Sequence, residues 1–443
     1  MSSVPRAPYR ALRHRDYRRL VASQLLSLTG SQMQAAAINW HVYLLTKSPL
    51  ALGFVGLTRV VPIVAFSLWG GLVADRHDRR RIMIYTQTAM TLVAVALAAV
   101  TFARREVLWL LYGLNALSAA AVAFDGPSRQ ALIPRLVPAE DLPGALSLNL
   151  SVFQASLIGG PALAGILIAH HPGTAPTSGL SLIYFLNALS FLAVIFALAT
   201  MRTSGAPSRE AGQSENWAAL AEGLRFVFKT PLMVWTMGLD FVATFFSGAM
   251  SLLPIFADQV LEVGAKGYGL LAAAPAIGAL AGSIFLSLRP LPARQGRIFL
   301  WSVAAYGAST IVFGLSRSFL LTCVALAGTG LADAISTVIR QTLRQLITPD
   351  RLRGRMTSVN MIFFMGGPQL GELEAGFVAS LFASTVVGVT VSVVSGGVAT
   401  VLVVAAIAAA APTLRRYDFG QHAVLTPTLE RPREPAGPAA LPG

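Results

Sequence analysis

The chain has 443 residues, of which 54% are hydrophobic and 12% charged, a balance that leaves a soluble globule too little polar surface to cover itself. The formal charge of +14 would suit a nucleic-acid binder, but the arginines stand in short clusters between apolar stretches, which is a topology signal and not a binding face. Cys323 is the single cysteine, so neither an intramolecular disulfide nor a cysteine metal cluster can form.

The N-terminus (MSSVPRAPYRALRHRDYRRL) is basic and lacks a cleavable hydrophobic region, so the first hydrophobic helix is expected to stay in the mature chain. Apolar stretches long enough to cross a hydrocarbon core, roughly 20 residues each, are predicted at 20–45, 51–74, 82–103, 108–127, 144–169 and 181–201. Six more follow at 232–257, 268–288, 298–315, 319–340, 356–382 and 389–411. With the N-terminus placed in the cytoplasm, 28 lysines and arginines fall on the cytoplasmic side and 5 outside, with Arg59 inside the second span. So strong a bias predicts both termini inside.

The chain also repeats itself. Arg129-Gln130-x-Leu132, Pro138 and Ser147-x-Asn149 recur as Arg340-Gln341-x-Leu343, Pro349 and Ser358-x-Asn360 at an offset of 211. Gly159-Gly160-Pro161-x-Leu163 recurs as Gly366-Gly367-Pro368-x-Leu370 at an offset of 207. Two such matches in the same order indicate duplication, with six helices in each half related by an axis along the membrane normal. The predicted division is 1–201 for the first half, 202–231 for a cytoplasmic linker, 232–411 for the second half and 412–443 for a disordered cytoplasmic tail rich in proline and alanine. Within the linker, Trp217, Leu220, Leu224 and Val227 recur at helical spacing and predict an amphipathic helix at the membrane surface.

After the second span the sequence reads Gly71-Leu72-Val73-Ala74-Asp75-Arg76-His77-Asp78-Arg79-Arg80-Arg81. It closely resembles the signature loop of the major facilitator superfamily, glycine-x-x-x-aspartate-arginine-x-x-arginine-arginine, with Asp78 where many members carry glycine and so asking more of the turn. Gln341, Thr348-Pro349, Gly354-Arg355 and Gly371-x-x-x-x-Gly376 add a resemblance to the branch of enterobactin exporters and macrolide-efflux proteins. The resemblance implies an all-α membrane protein of twelve helices, no cofactor, and a bacterial inner-membrane location. It also implies a gating latch: Asp75 facing the start of helix eleven near Arg355 and Met356, and the loop cations Arg76 and Arg79 pairing with an acid on helix four. Asp125 is placed for that role, or it pairs with Arg129 one turn on. Gly160-Pro161-Ala162-Leu163-Ala164-Gly165 is similar to the glycine-proline motif of drug/proton antiporters, and ordinary helix packing by small residues explains it equally. The arginine usual in span four of that branch is missing from Leu111–Asn115.

Acids inside spans are costly unless they meet water or a partner. Asp240 near mid-depth of span seven, Asp333 in span ten, and Glu372 and Glu374 in span eleven are therefore candidates for substrate or proton coupling. Residues two apart on a helix diverge by about 200°, so only one of Glu372 and Glu374 is expected to face a cavity. Arg59 either snorkels to the headgroups or lines the cavity against an anionic substrate. His41 reads as an interfacial residue or a proton carrier. Gln32, Gln34 and Asn39 on span one either line the cavity or join helices. No nucleotide-binding glycine-x-x-x-x-glycine-lysine-serine/threonine loop, no HExxH and no GxSxG is present. The predicted function is therefore export of a small amphipathic molecule, a siderophore or hydrophobic drug, by a monomeric, proton-driven secondary transporter that binds no nucleic acid. Proton-coupled nutrient uptake is the alternative, a non-transporting sensor a more distant one.

Overall fold

The structure is a computed structural model that describes residues 8–170, 177–203, 205, 217–288, 293–349 and 353–418; the side chains of Asp75, of the first turns of the linker helix and of most residues from 353 to 365 are not among those described. The first half consists of α1 (Arg15–Thr46), α2 (Pro49–Arg76), α3 (Arg79–Phe102), α4 (Leu108–Leu132), α5 (Leu142–Ala169) and α6 (Ser178–Ala199). The linker helix α7 (Trp217–Lys229) leads to α8 (Pro231–Phe246), α9 (Gly264–Leu288), α10 (Gln295–Leu315), α11 (Phe319–Ile347), α12 (Arg353–Ser380) and α13 (Thr385–Ala410). Among the described residues ten helical stretches, the composite Pro231–Val260 included, are by length and composition apolar enough to cross a membrane. α1 carries amides at mid-length, and Gln34 among them meets another helix.

Local chemistry sets the boundaries. Ser48 caps α2, with Pro49 at the first helical position. Asp78 caps α3: its Oδ1 accepts from the Arg80 and Arg81 amides at 2.9 and 3.3 Å. Its φ is −65°, so no left-handed conformation is required and the departure from glycine strains nothing. The seventh span departs from expectation. α8 stops at Phe246, and after Ser247-Gly248 the chain continues through short helical turns as far as Val260. The start of the predicted disordered tail is ordered instead, since Pro412–Arg415 forms a helical turn with Leu414 fully buried. There the Gly296 amide donates to the Tyr417 carbonyl at 3.2 Å and the Arg294 amide to Asp418 at 3.1 Å. Residues 419–443 lie outside the described residues.

Packing repeats between the halves. α1 packs on α5 and α6 as α8 packs on α12 and α13; α2 packs on α4 as α9 does on α11; α3 packs on α4 and α6 as α10 does on α11 and α13. The halves meet through α2 against α12 and α5 against α9. We call the end bearing residue 15 and the linker helix the near end, and the opposite one the far end.

The N-terminal segment is tied into the first half at the near end. His14 Nε2 lies 3.0 Å from Asp141, and the Tyr17 hydroxyl donates to the Ala145 carbonyl at 2.7 Å. Asp16 accepts from the Arg202 and Thr203 amides at 3.0 Å each and from the Thr203 hydroxyl at 2.8 Å. Partial burial opposes its ionisation, but the Thr203 and Arg202 hydrogen bonds and nearby Arg15 outweigh that and hold the carboxyl below its ordinary range.

Candidate functional site

Close approach of backbones builds the seam between the halves. A Cβ added at Gly165 of α5 would lie 2.8 Å from the Gly269 Cα of α9, and one at Gly376 of α12 would lie 3.0 Å from the Gly53 Cα of α2. Within each half, a Cβ at Gly160 would strike α1 (3.0 Å from the Thr29 carbonyl oxygen) and one at Gly371 would strike α8 (2.3 Å from the Phe245 carbonyl oxygen). Gly160 and Gly165 thus correspond spatially to Gly371 and Gly376 at an offset of 211, one helical turn from the sequence match at 207. Packing, one of the two readings of the antiporter-like motif, accounts for both of its glycines, while Pro161 lines a cavity.

The hydrogen bonds that cross between the halves lie toward the far end. The Tyr43 hydroxyl donates to Asp258 in a very short contact, Gln259 Nε2 donates to the Tyr43 oxygen at 3.2 Å, and Lys47 Nζ stands 3.5 Å from Asp258 and 3.9 Å from the centre of the Tyr43 ring. Beneath them Trp40 stacks on Tyr268, whose hydroxyl donates to the Ala36 carbonyl at 3.0 Å. Nothing in the sequence singled out Tyr43, Asp258 or Tyr268, since their significance lies in a pairing across more than 200 positions.

Below this clasp the halves part around a cavity of about 340 Å³. Gln32 and Asn39 of α1, Gln154 of α5, Tyr268 and Asp333 supply its polar lining, and alanine, proline, methionine and leucine supply the rest. Gln34 is not among them. It is buried and accepts from Asn187 of α6 at 2.8 Å, so it joins helices.

Asp240 and Asp333 share one cation. Asp240 of α8 forms an ion pair with Arg340 of α11, each side chain nearly nine-tenths buried. Arg340 also donates to the Thr337 hydroxyl at 2.7 Å and reaches Asp333 at 3.7 Å. In sequence Arg340 counted among the loop cations; α11 runs seven residues past that boundary and draws it inside. A buried carboxylate with so direct a counter-ion is neutralised within the protein. In the first half α1 contains no acid from residue 20 onward, so Arg129, which is half-buried, has no equivalent partner there. A second pocket beside the ion pair is lined by Gln341 and Asn360, both of them repeat residues.

Glu372 crosses the seam. A Cβ at Gly56 of α2 would lie 2.7 Å from Glu372 Oε2, and Arg59, one turn along α2, acts electrostatically on the same carboxylate. Arg59 thus lies within electrostatic range of an acid of the other half, though no ion pair joins the two. Glu374 is partly buried on another face of α12. His41 is fully buried, with Nδ1 3.1 Å from the Tyr184 hydroxyl.

Of the latch residues, Asp125 is buried and accepts from Thr86 at 3.1 Å and Gln87 at 3.0 Å. Arg79 is also buried and donates to the Ala74 and Ala131 carbonyls at 3.3 and 3.5 Å. Arg76 is exposed. The side chains of Asp75, Arg355 and Met356 lie outside the described residues.

Two six-helix halves meeting over a central cavity define a multi-pass membrane transporter of the major facilitator fold. A bacterial homologue of the lysosomal transporter Spinster, in an inward-facing and occupied conformation, superimposes with a TM-score of 0.72 at 17% identity, covering 95% of this chain and 99% of that one. A bacterial homologue of the iron transporter ferroportin, inward-facing, gives 0.63 at 20%, covering 88% and 98%. The family model described as transmembrane secretion effector matches residues 6–430, and the chain belongs to that family of the major facilitator superfamily. It is similar to the staphyloferrin A transporter of Staphylococcus aureus, 23% identical over 370 residues, 82% of this chain and 89% of that protein. It is also similar to the enterobactin exporter EntS of Escherichia coli O9:H4, 24% identical over 364 residues, 82% and 85% respectively.

Proposed function

We propose that this chain is a secondary exporter that carries a small amphipathic molecule out of the cytoplasm across the bacterial inner membrane, driven by protons and working as a monomer. The observation that carries the reading is the central cavity between two halves that are clasped at the far end. The charge asymmetry of 28 to 5 supports a cytoplasmic near end, with both termini and the linker inside, so that the cavity loads from the cytoplasm. Rocking one half on the other then breaks the Tyr43–Asp258 clasp and closes the near end, where Asp75, Arg76, Arg79, Asp125 and Arg129 form the opposing latch. Glu372 with Arg59 is the coupling pair: its helices belong to different halves, so the pair is intact only while α2 and α12 touch, and a carboxylate parted from its cation inside a membrane takes up a proton.

The test is dye or siderophore accumulation in everted vesicles carrying the chain, with an imposed proton gradient. Gradient-dependent uptake abolished by a protonophore is expected. Uptake equal to that of vesicles lacking the chain overturns the reading.

A further inference from the structure

We infer that the transported molecule is an amphipathic monocation and that Asp333, not Asp240, receives its charge; this rests on reading the central cavity as the transport site. Among the described residues lining that cavity, Asp333 is the one ionisable group of negative charge, and no lysine, arginine or histidine lines it. The count of charges follows from geometry. Arg340 makes its direct ion pair with Asp240, whose side chain is only 13% exposed, while Asp333 stands 3.7 Å from the same guanidinium with 43% of its side chain exposed. One guanidinium neutralises one carboxylate, and the unspent negative charge is the one that meets the cavity.

The neutral polar groups point the same way. Asn39 lines the cavity with its Oδ1 buried and without a hydrogen-bond partner. A buried acceptor left unpaired is costly, and a donor on the ligand relieves it. Ala272, Pro275, Ala276 and Ala279 of α9 line the same cavity as an apolar wall that suits the body of an amphipathic molecule. A polyanion would meet a like charge with no cavity cation to offset it.

The experiment uses the full chain in nanodiscs and two ions of matched shape and opposite charge, tetraphenylphosphonium and tetraphenylborate, with binding measured by equilibrium dialysis. Saturable binding of the cation at least tenfold tighter than that of the anion is expected. Asp333→Asn should weaken cation binding at least tenfold and Asp333→Glu should largely restore it, which a mere folding defect would not allow. Equal binding of the two ions, binding of neither, or wild-type cation affinity in Asp333→Asn each overturns the proposal. Flux in reconstituted vesicles is read separately: a chain that binds the cation through Asp333 but moves none refutes transport and leaves the site standing.

Discussion

Replacing Arg340 by methionine tests the charge arrangement at its centre. The substitution keeps the apolar stem and removes the cation from an ion pair whose side chains are 12% and 13% exposed. Removing one partner of such a pair costs about 3–5 kcal/mol, because the remaining carboxylate is buried without a counter-ion and must take up a proton. Asp333 suffers less, since 43% of its side chain is exposed to the cavity. For a protein of this size a loss on that scale lowers the unfolding midpoint by about 3–5 °C. The assay is thermal unfolding of detergent-purified protein followed by tryptophan fluorescence. Adding Asp240→Leu to Arg340→Met should recover most of the loss, because an apolar residue removes the orphaned charge altogether. An Arg340→Met protein as stable as wild type, or a double variant no better than the single, would refute the assignment of Arg340 as the buried counter-ion.

Gly376→Leu should hold α2 and α12 apart at the far end, since even a Cβ there falls 2.5 Å from the Pro49 carbonyl oxygen. In a Cys323→Ser, Met250→Cys background, labelling of the cavity by an impermeant maleimide from outside should rise several-fold; no rise would show the seam is not the gate. Asp75→Asn should shift the resting ensemble toward the state open at the near end, a charge-assisted contact being worth about 1–3 kcal/mol. Labelling from the cytoplasmic side would then increase, and unchanged labelling together with unchanged transport would count against the latch. Asp16→Ala should cost about 1 kcal/mol at neutral pH by freeing the Thr203 amide and hydroxyl. Because the folded-state pKa of Asp16 is lowered, that contribution is complete above the unfolded value of about 3.9 and is lost as pH falls below it; a variant whose deficit persists unchanged in acid contradicts this. Cytoplasmic-enzyme fusions at residues 210 and 420 should be active, and a periplasmic signal from either reverses the orientation.

Helix number, duplication and membrane residence could be read from residue order alone, because the bilayer makes long apolar runs obligatory and each such run must satisfy its own backbone hydrogen bonds. The repeat was legible for the same reason: helix starts at Leu108 and Phe319, and at Leu142 and Arg353, stand 211 apart, whereas Ser178 and Thr385 stand 207 apart. Which glycines correspond was not legible, since a four-residue slip keeps a residue on nearly the same face of a helix and only the neighbouring helix distinguishes the turns. Asp240, Asp333 and Glu372 stood out in sequence because charge inside a span is rare. What each one meets was decided by tertiary contacts: Arg340 drawn in from the loop pairs with Asp240, Glu372 comes within electrostatic range of Arg59 across the seam, and Gln34 turns from the cavity to Asn187. A side chain's charge and depth follow from its place in one helix, but its partner is set by how helices cross. That geometry depends on small residues such as Gly165 and Gly376, whose contribution is the approach they permit.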